Sequence, residues 1–465
     1  MRTPFIAIVL CLLPVVGSAQ SDTSAGLAAL LPGLILREVQ LPSATHAAHF
    51  SPLTVNDPTN PAVEIVEAFN KQLVVQLSTV PLGSSSGGFT YTFDPTVGTF
   101  SRASRSFGPA FAERALTSGR GRFSLGMNYQ HLAYDSFEDR DLQGGAIRFY
   151  LRHQECCRSG GPPVPPTFGI INQPNGTRFD PFFEGDIIQT ALSLKAKTNT
   201  LVFFGNYGLT DRLDVGLAVP VVSVELDATM VATILRLATS GNAQIHTFEA
   251  GNAAATERTF SASGSATGLG DIVLRSKYRF ASAGGSALAG AVDVRLPTGD
   301  QKNLLGAGAQ TKVFFVASRG TERWGQHANI GYTFAGGELD AVAPLGASAA
   351  NVPDEVNYTA GVEYVAESRV TLIADVVGRV LRGAGRLSPR MKTFLFVQGP
   401  DQPQSSAEFE EFEPRRGNLN LVFGTAGVKF NPFGSFLING GVLVPLTNSG
   451  LRSKVGVVVG IDYAF

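Results

Sequence analysis

The sequence predicts an all-β fold: an antiparallel transmembrane β-barrel of about twelve strands, preceded by a plug-like segment. The carboxyl-terminal strand is the clearest sign. Val455, Val457, Val459, Ile461, Tyr463 and Phe465 share one face, and Arg452, Lys454, Gly456, Asp462 and Ala464 share the other. Side chains alternate across a strand. A greasy face ending in aromatics, backed by a small or charged face, suits a strand with lipid outside and water inside. A second sign is that no apolar run after the amino terminus reaches the ~18 residues of a membrane helix. Only helices or closed barrels satisfy every backbone group in lipid. The third is that the alternating pattern recurs from about Arg122 to the last residue.

Taken in order, residues 1–19 read as a signal peptide, with Arg2, an apolar core from Phe5 to Val16 and the small residues Gly17-Ser18-Ala19. Residues 20–120 read as an amino-terminal plug or periplasmic segment. Apolar spacing near Ala25 to Leu31 and from Pro61 to Val74 is helical, and Asp94-Pro95 turns a short hairpin between Phe89 and Arg102. That hairpin raises the alternative of fourteen strands. Residues 121–465 form the barrel, with strands near 122–135, 186–208, 212–228, 268–281, 286–297, 308–318, 325–336, 355–366, 369–382, 417–430, 434–446 and 452–465.

With the carboxyl terminus in the periplasm, Tyr207, Tyr278, Phe280, Phe314, Phe315, Tyr364, Phe430, Tyr463 and Phe465 collect at the inner rim as an aromatic girdle. Short connections at that rim contrast with long ones at 136–185, 229–267, 337–354 and 383–416. Apolar parity changes face at Pro220 and Gly424, which predicts a β-bulge at each. The charged fraction is 16%, Gly numbers 52 and net charge is −1, which argues against nucleic acid as a partner.

Three phrases resemble the outer-membrane proteins named for the MetA pathway of phenol degradation: Tyr207-Gly-Leu-Thr-Asp-Arg-Leu-Asp214-Val-Gly-Leu-Ala-Val-Pro220, Gly268-Leu-Gly-Asp271-Ile-Val-Leu-Arg-Ser-Lys-Tyr278 and Leu296-Pro-Thr-Gly-Asp300. The layout is also similar to the long-chain fatty-acid transporters. The resemblance implies a bacterial outer-membrane channel for passive uptake of small hydrophobic or aromatic organic compounds. The alternatives are a surface structural or interaction protein anchored by its barrel and, behind it, an outer-membrane lipid hydrolase. The expected partners are outer-membrane lipid and lipopolysaccharide, the barrel assembly machinery and a small organic solute.

The lumen-lining candidates are Asp214, Arg275, Lys277, Arg279, Asp293, Arg295, Asp375, Arg379, Lys454 and Asp462. Their mixed signs suggest pairing across neighbouring strands, and charged rings also set which solutes pass. Arg275, Lys277 and Arg279 would favour anions such as aromatic carboxylates. Met230, Ile234, Leu235 and Leu237 have helical spacing in an external loop, as packing residues or a capture groove. Ile461, Tyr463 and Phe465 form the assembly signal. His153-Gln-Glu155-Cys156-Cys157 fits no zinc spacing, and a vicinal disulfide between Cys156 and Cys157 is the expected state. The Glu408 to Glu413 stretch reads as an acidic external loop. No cofactor or metal is implied. Catalysis finds only His131 as a strand histidine, with no hydrolase elbow or zinc motif beside it.

Overall fold

A computed structural model of the chain describes residues 26–36, 39, 41, 61–79, 83–84, 88–94, 99–152, 171–172, 178–179, 185–240, 246–339, 350–398 and 402–465. The predicted signal peptide and the predicted Cys156-Cys157 disulfide lie outside the described residues. The helices are α1 (Leu30–Leu36) and α2 (Pro61–Ser78), and no described helix is long and apolar enough to cross a membrane. The first strands are β1 (Tyr91–Asp94), β2 (Thr99–Arg102), β3 (Phe123–Phe137), β4 (Ile147–Arg152), β5 (Ile187–Gly208), β6 (Leu213–Leu235) and β7 (Glu257–Leu269). There follow β8 (Val273–Ala283), β9 (Ser286–Arg295), β10 (Gln310–Gly320), β11 (Trp324–Ala335), β12 (Glu355–Glu367) and β13 (Val370–Leu381). The last are β14 (Arg386–Phe396), β15 (Ser405–Arg415), β16 (Leu419–Phe433), β17 (Phe436–Pro445) and β18 (Leu451–Ala464). A few two-residue strands lie between them.

Twelve strands close a single circuit: β3, β5, β6, β8 to β13, and β16 to β18, which returns to β3. All pairings are antiparallel, and each predicted barrel strand is present. The fourteen-strand alternative does not hold, because β1 and β2 form a separate two-stranded sheet. At the seam Phe465 donates its amide to the Phe123 carbonyl at 2.8 Å, and the two rings stack 5.9 Å apart. The carboxyl terminus therefore closes the barrel, consistent with the weight the sequence puts on Phe465.

Outward residues form an apolar band. Tyr207, Tyr278, Phe280, Phe315, Phe430, Tyr463 and Phe465 are exposed on it, together with Trp324 and Phe433. Phe314 departs from the predicted girdle: it is buried and points inward among Ala289, Ala291 and Val316. The polar boundary is visible in the register. Leu201 faces Val221 on the next strand, and one step outward Asn199 faces Ser223, followed by Lys197 and Glu225. Beyond it β5 and β6 continue above the barrel, flanked by β4 and β7.

The predicted bulges at Pro220 and Gly424 are absent. The β5–β6 register is unbroken past Pro220, and the β13–β16 register is unbroken past Gly424. Apolar parity changes for a different reason. In the periplasmic half Leu217 and Val428 face lipid, whereas in the external half Val222, Val224, Leu226, Leu419 and Leu421 face inward. There they pack against α1 and α2, whose Leu31, Leu34, Ile65, Phe69 and Leu73 belong to one continuous buried cluster. The strand stays regular while its apolar surroundings move from lipid to an internal core.

The same cluster corrects the reading of 229–267. Met230, Ile234 and Leu235 lie on strand β6, not on a helix. Met230 and Ile234 are buried in the internal core, and Leu235 and Leu237 pack beside Tyr150 and Phe394. The acidic 408–413 stretch is likewise strand β15, paired to β14 with Arg390–Glu413 and Lys392–Glu411 ion pairs, and Phe412 is buried.

Candidate functional site

The site is the lumen, and the chain itself crosses it. Between β2 and β3, residues 103–118 form an irregular strap that cannot satisfy its amides by regular pairing. Inward-facing wall side chains accept them instead. Gly108 N donates to Glu363 at 2.8 Å, Ala110 N and Phe111 N donate to Asp375 at 2.9 and 2.8 Å, and Glu113 N donates to Asn329 at 2.7 Å. Ala115 N donates to Ser318 at 2.9 Å, and Ser118 N to both oxygens of Asp214. A buried amide without an acceptor is costly, so this ladder fixes the strap's path.

Two strap side chains add charge. Glu113 receives Arg275 at 2.6 Å and Lys277 at 3.1 Å, and Arg275 also forms a two-pronged pair with Asp293. Arg114 pairs with Glu363 at 3.0 Å, both essentially sealed from solvent. Glu363 is held on its other side by His327, whose Nδ1 bonds Ser318 Oγ at 2.8 Å. Lys429 donates to the Pro109 carbonyl, and Lys277 to that of Arg114.

The ten wall residues singled out by sequence therefore divide by role. Asp214 and Asp375 accept strap amides, and Arg275, Lys277 and Asp293 surround Glu113. Arg279 donates to the Asp211 carbonyl at the periplasmic turn. Arg379 pairs with Glu355 and donates to Thr79 at the end of α2. Asp462 is buried beside Asn439. Arg295 faces an internal cavity. Lys454 departs from the wall pattern: it is exposed where the β18–β3 register breaks between Ser453 and Gly456. Sequence reasoning passed over Glu363, His327, Asn329, Lys312, Glu355 and Lys429. All lie on predicted strands, so their inward parity was the signal available. The strap carboxylate Glu113 carried no such signal, because its loop has no period.

Above the strap lies a cavity of about 130 Å³, floored by Phe111 and Glu113 and walled by Phe314, Tyr358 and several charged groups. The family phrases prove structural. Asp271 accepts the amides of Gly299, Ala307 and Gly308, and the Thr298 hydroxyl donates to the Gly270 carbonyl, so Gly268–Asp271 and Leu296–Asp300 lock one external turn together.

His131 lies on the outward face, its Nδ1 2.7 Å from Asn199 Oδ1, and Tyr129 also donates to that oxygen. The next outward position on its strand is Ala133, and Ser223, across the ladder from Asn199, accepts the Thr267 hydroxyl at 2.8 Å.

Residues 171–375 match the family model described as putative MetA-pathway of phenol degradation. Over that span, somewhat less than half of the chain, the sequence is similar to this family. No curated protein matches the sequence. Solved structures similar to it include an outer-membrane channel from Pseudomonas putida F1, at 11% identity and a TM-score of 0.41, covering 76% of this chain and 98% of that one. A Pseudomonas aeruginosa FadL homologue aligns at 11% identity and 0.33, covering 83% and 99%. The Ralstonia pickettii toluene transporter TbuX aligns at 12% and 0.26, covering 75% and 90%. At these scores the three likenesses carry no argument about solutes. The closed barrel, its lipid-facing band and the family match place the protein in the bacterial outer membrane.

Proposed function

We propose that this chain is an outer-membrane channel for passive uptake of small hydrophobic or aromatic organic compounds, with residues 20–120 acting as its plug and the 103–118 strap as its narrowest part. One observation carries the reading: a closed barrel holds a small cavity with aromatic walls directly above a strap anchored to charged wall residues. A wall built only to anchor surface loops has no need of an internal cavity. The family's description in terms of phenol degradation points to the same solute class.

Uptake into liposomes tests this. Phenols and other single-ring compounds should enter faster than sugars of similar size. Equal entry of sugars and phenols, or none of either, would overturn the proposal. One observation favours the surface-interaction alternative: β7 rises above the barrel and, among the described residues, pairs on one edge only. Such an edge can accept a partner strand, and partner binding without uptake would shift weight to it.

A further inference from the structure

The lumen cations are treated unequally. Arg114, Arg275, Lys277 and Arg379 each hold a carboxylate. Arg295 and Lys312 hold none among the described residues, yet both line the cavity above the strap. Register makes this informative. Lys312 lies directly across from Asp293, the carboxylate that ordinary cross-strand pairing would give it. Asp293 is turned away, with both oxygens on Arg275 at 2.6 Å. The cross-strand neighbours of Arg295 are Val273 and Gln310, neither of them acidic. Lys312 instead sits over the Phe314 ring, 4.7 Å from its centroid.

Two half-buried cations stand diagonally across the β9–β10 ladder, and each loses hydration without gaining an ion pair among the described residues. A bound anion would relieve both. The rest of the cavity limits what that anion is. Phe314, Tyr358, Phe111 and Val377 supply its apolar lining, and its carboxylates Glu113, Asp293 and Glu355 are held by Arg275, Lys277 and Arg379. The volume of about 130 Å³ is close to the roughly 150 Å³ of a cavity known to hold one benzene. We infer that Arg295 and Lys312 form a binding site for a single-ring aromatic carboxylate, with its carboxylate on the two cations and its ring against the aromatic wall. The inference rests on the uptake reading for its physiological meaning, but not for its test. It also moves the anion preference away from Arg275 and Lys277, which Glu113 already occupies.

Calorimetric titration of the full-length detergent-solubilised protein with benzoate, phenol and acetate decides it. Benzoate should bind about tenfold more tightly than phenol or acetate. In R295Q/K312Q, checked for folding by the heat-dependent gel mobility of an intact barrel, benzoate affinity should fall at least to the level of phenol. The charge-retaining pair R295K/K312R should restore most of it. Benzoate binding that is absent, unchanged in R295Q/K312Q, or matched by phenol or acetate would each overturn the site. Liposome uptake separates the two proposals. Binding as described with no solute entry would leave the site standing and end the uptake reading. Entry of phenol without preferential benzoate binding would do the reverse.

Discussion

The two halves of the lumen solve the same packing problem with opposite chemistry. In the external half α1 and α2 meet an apolar wall, with Phe69 edge-on to Phe137 at 4.7 Å and to Phe149 at 5.7 Å. In the periplasmic half the strap meets a wall of carboxylates, amides and cations through its own backbone. Apolar packing is tolerant, since shape and area set its energy. A buried polar ladder fails sharply when one member is removed. The difference suggests that the external half holds the amino-terminal segment in place and the periplasmic half sets its path.

The largest expected effect comes from breaking the polar half. Glu363→Ala strands the buried guanidinium of Arg114 and should cost about 3–5 kcal/mol of strap anchoring. Amide hydrogen exchange should then lose protection over 107–118 while α2 keeps its own; simultaneous loss in both would show that the halves are one unit. Phe69→Ala should cost about 3 kcal/mol through a cavity in the apolar half. Its exchange pattern should be the converse, with α2 loosened and the strap protected.

A smaller effect concerns the rim above both. Asp186 accepts the amides of Ala238 and Thr239 at 2.7 and 3.0 Å and meets His246 Nδ1 at 2.6 Å. Burial pushes its carboxyl up, but hydrogen bonds from His246 and Thr239 outweigh this and hold it below the ordinary value. A lowered carboxylate pKa stabilises fully above the unfolded value of about 4 and is lost as pH falls through the folded value. Protease cleavage within 236–256 should therefore stay slow at neutral pH and accelerate only in acid below that range. Acceleration already near pH 6 would contradict this role for Asp186. The smallest effect is at the seam. Phe465→Ala removes a stacked pair worth about 1 kcal/mol and should slow barrel assembly without altering the lumen, read as delayed appearance of the folded band on gels.

The barrel was legible because period-two alternation reports directly on lipid and lumen, from Ile272 and Leu274 in one strand to Val457 and Val459 in the last. It misled at Lys454, where the register breaks, and where the lumen itself turns apolar, since at Pro220 and Gly424 the parity change is a change of neighbour and not a slipped strand. Met230 and Ile234 misled for the same reason, since inward apolar residues on a long strand mimic helical spacing when outward positions are also partly apolar. Within the site the wall charges were visible as inward residues, but their partners were not. Glu113 and Arg114 sit in a segment with no period, and nothing local shows that Asp293 would choose Arg275 over Lys312 across the ladder.

Side-chain charge in the periplasmic half helps hold the strap across the lumen. Single-channel conductance in planar bilayers measures it most directly, comparing the unmodified chain with E113A/R114A. Removing both strap charges, while its amide bonds to the wall remain, should loosen the strap and raise conductance, whereas Phe69→Ala should leave it near the original level. Unchanged conductance in E113A/R114A, with exchange showing the strap still protected, would contradict the claim.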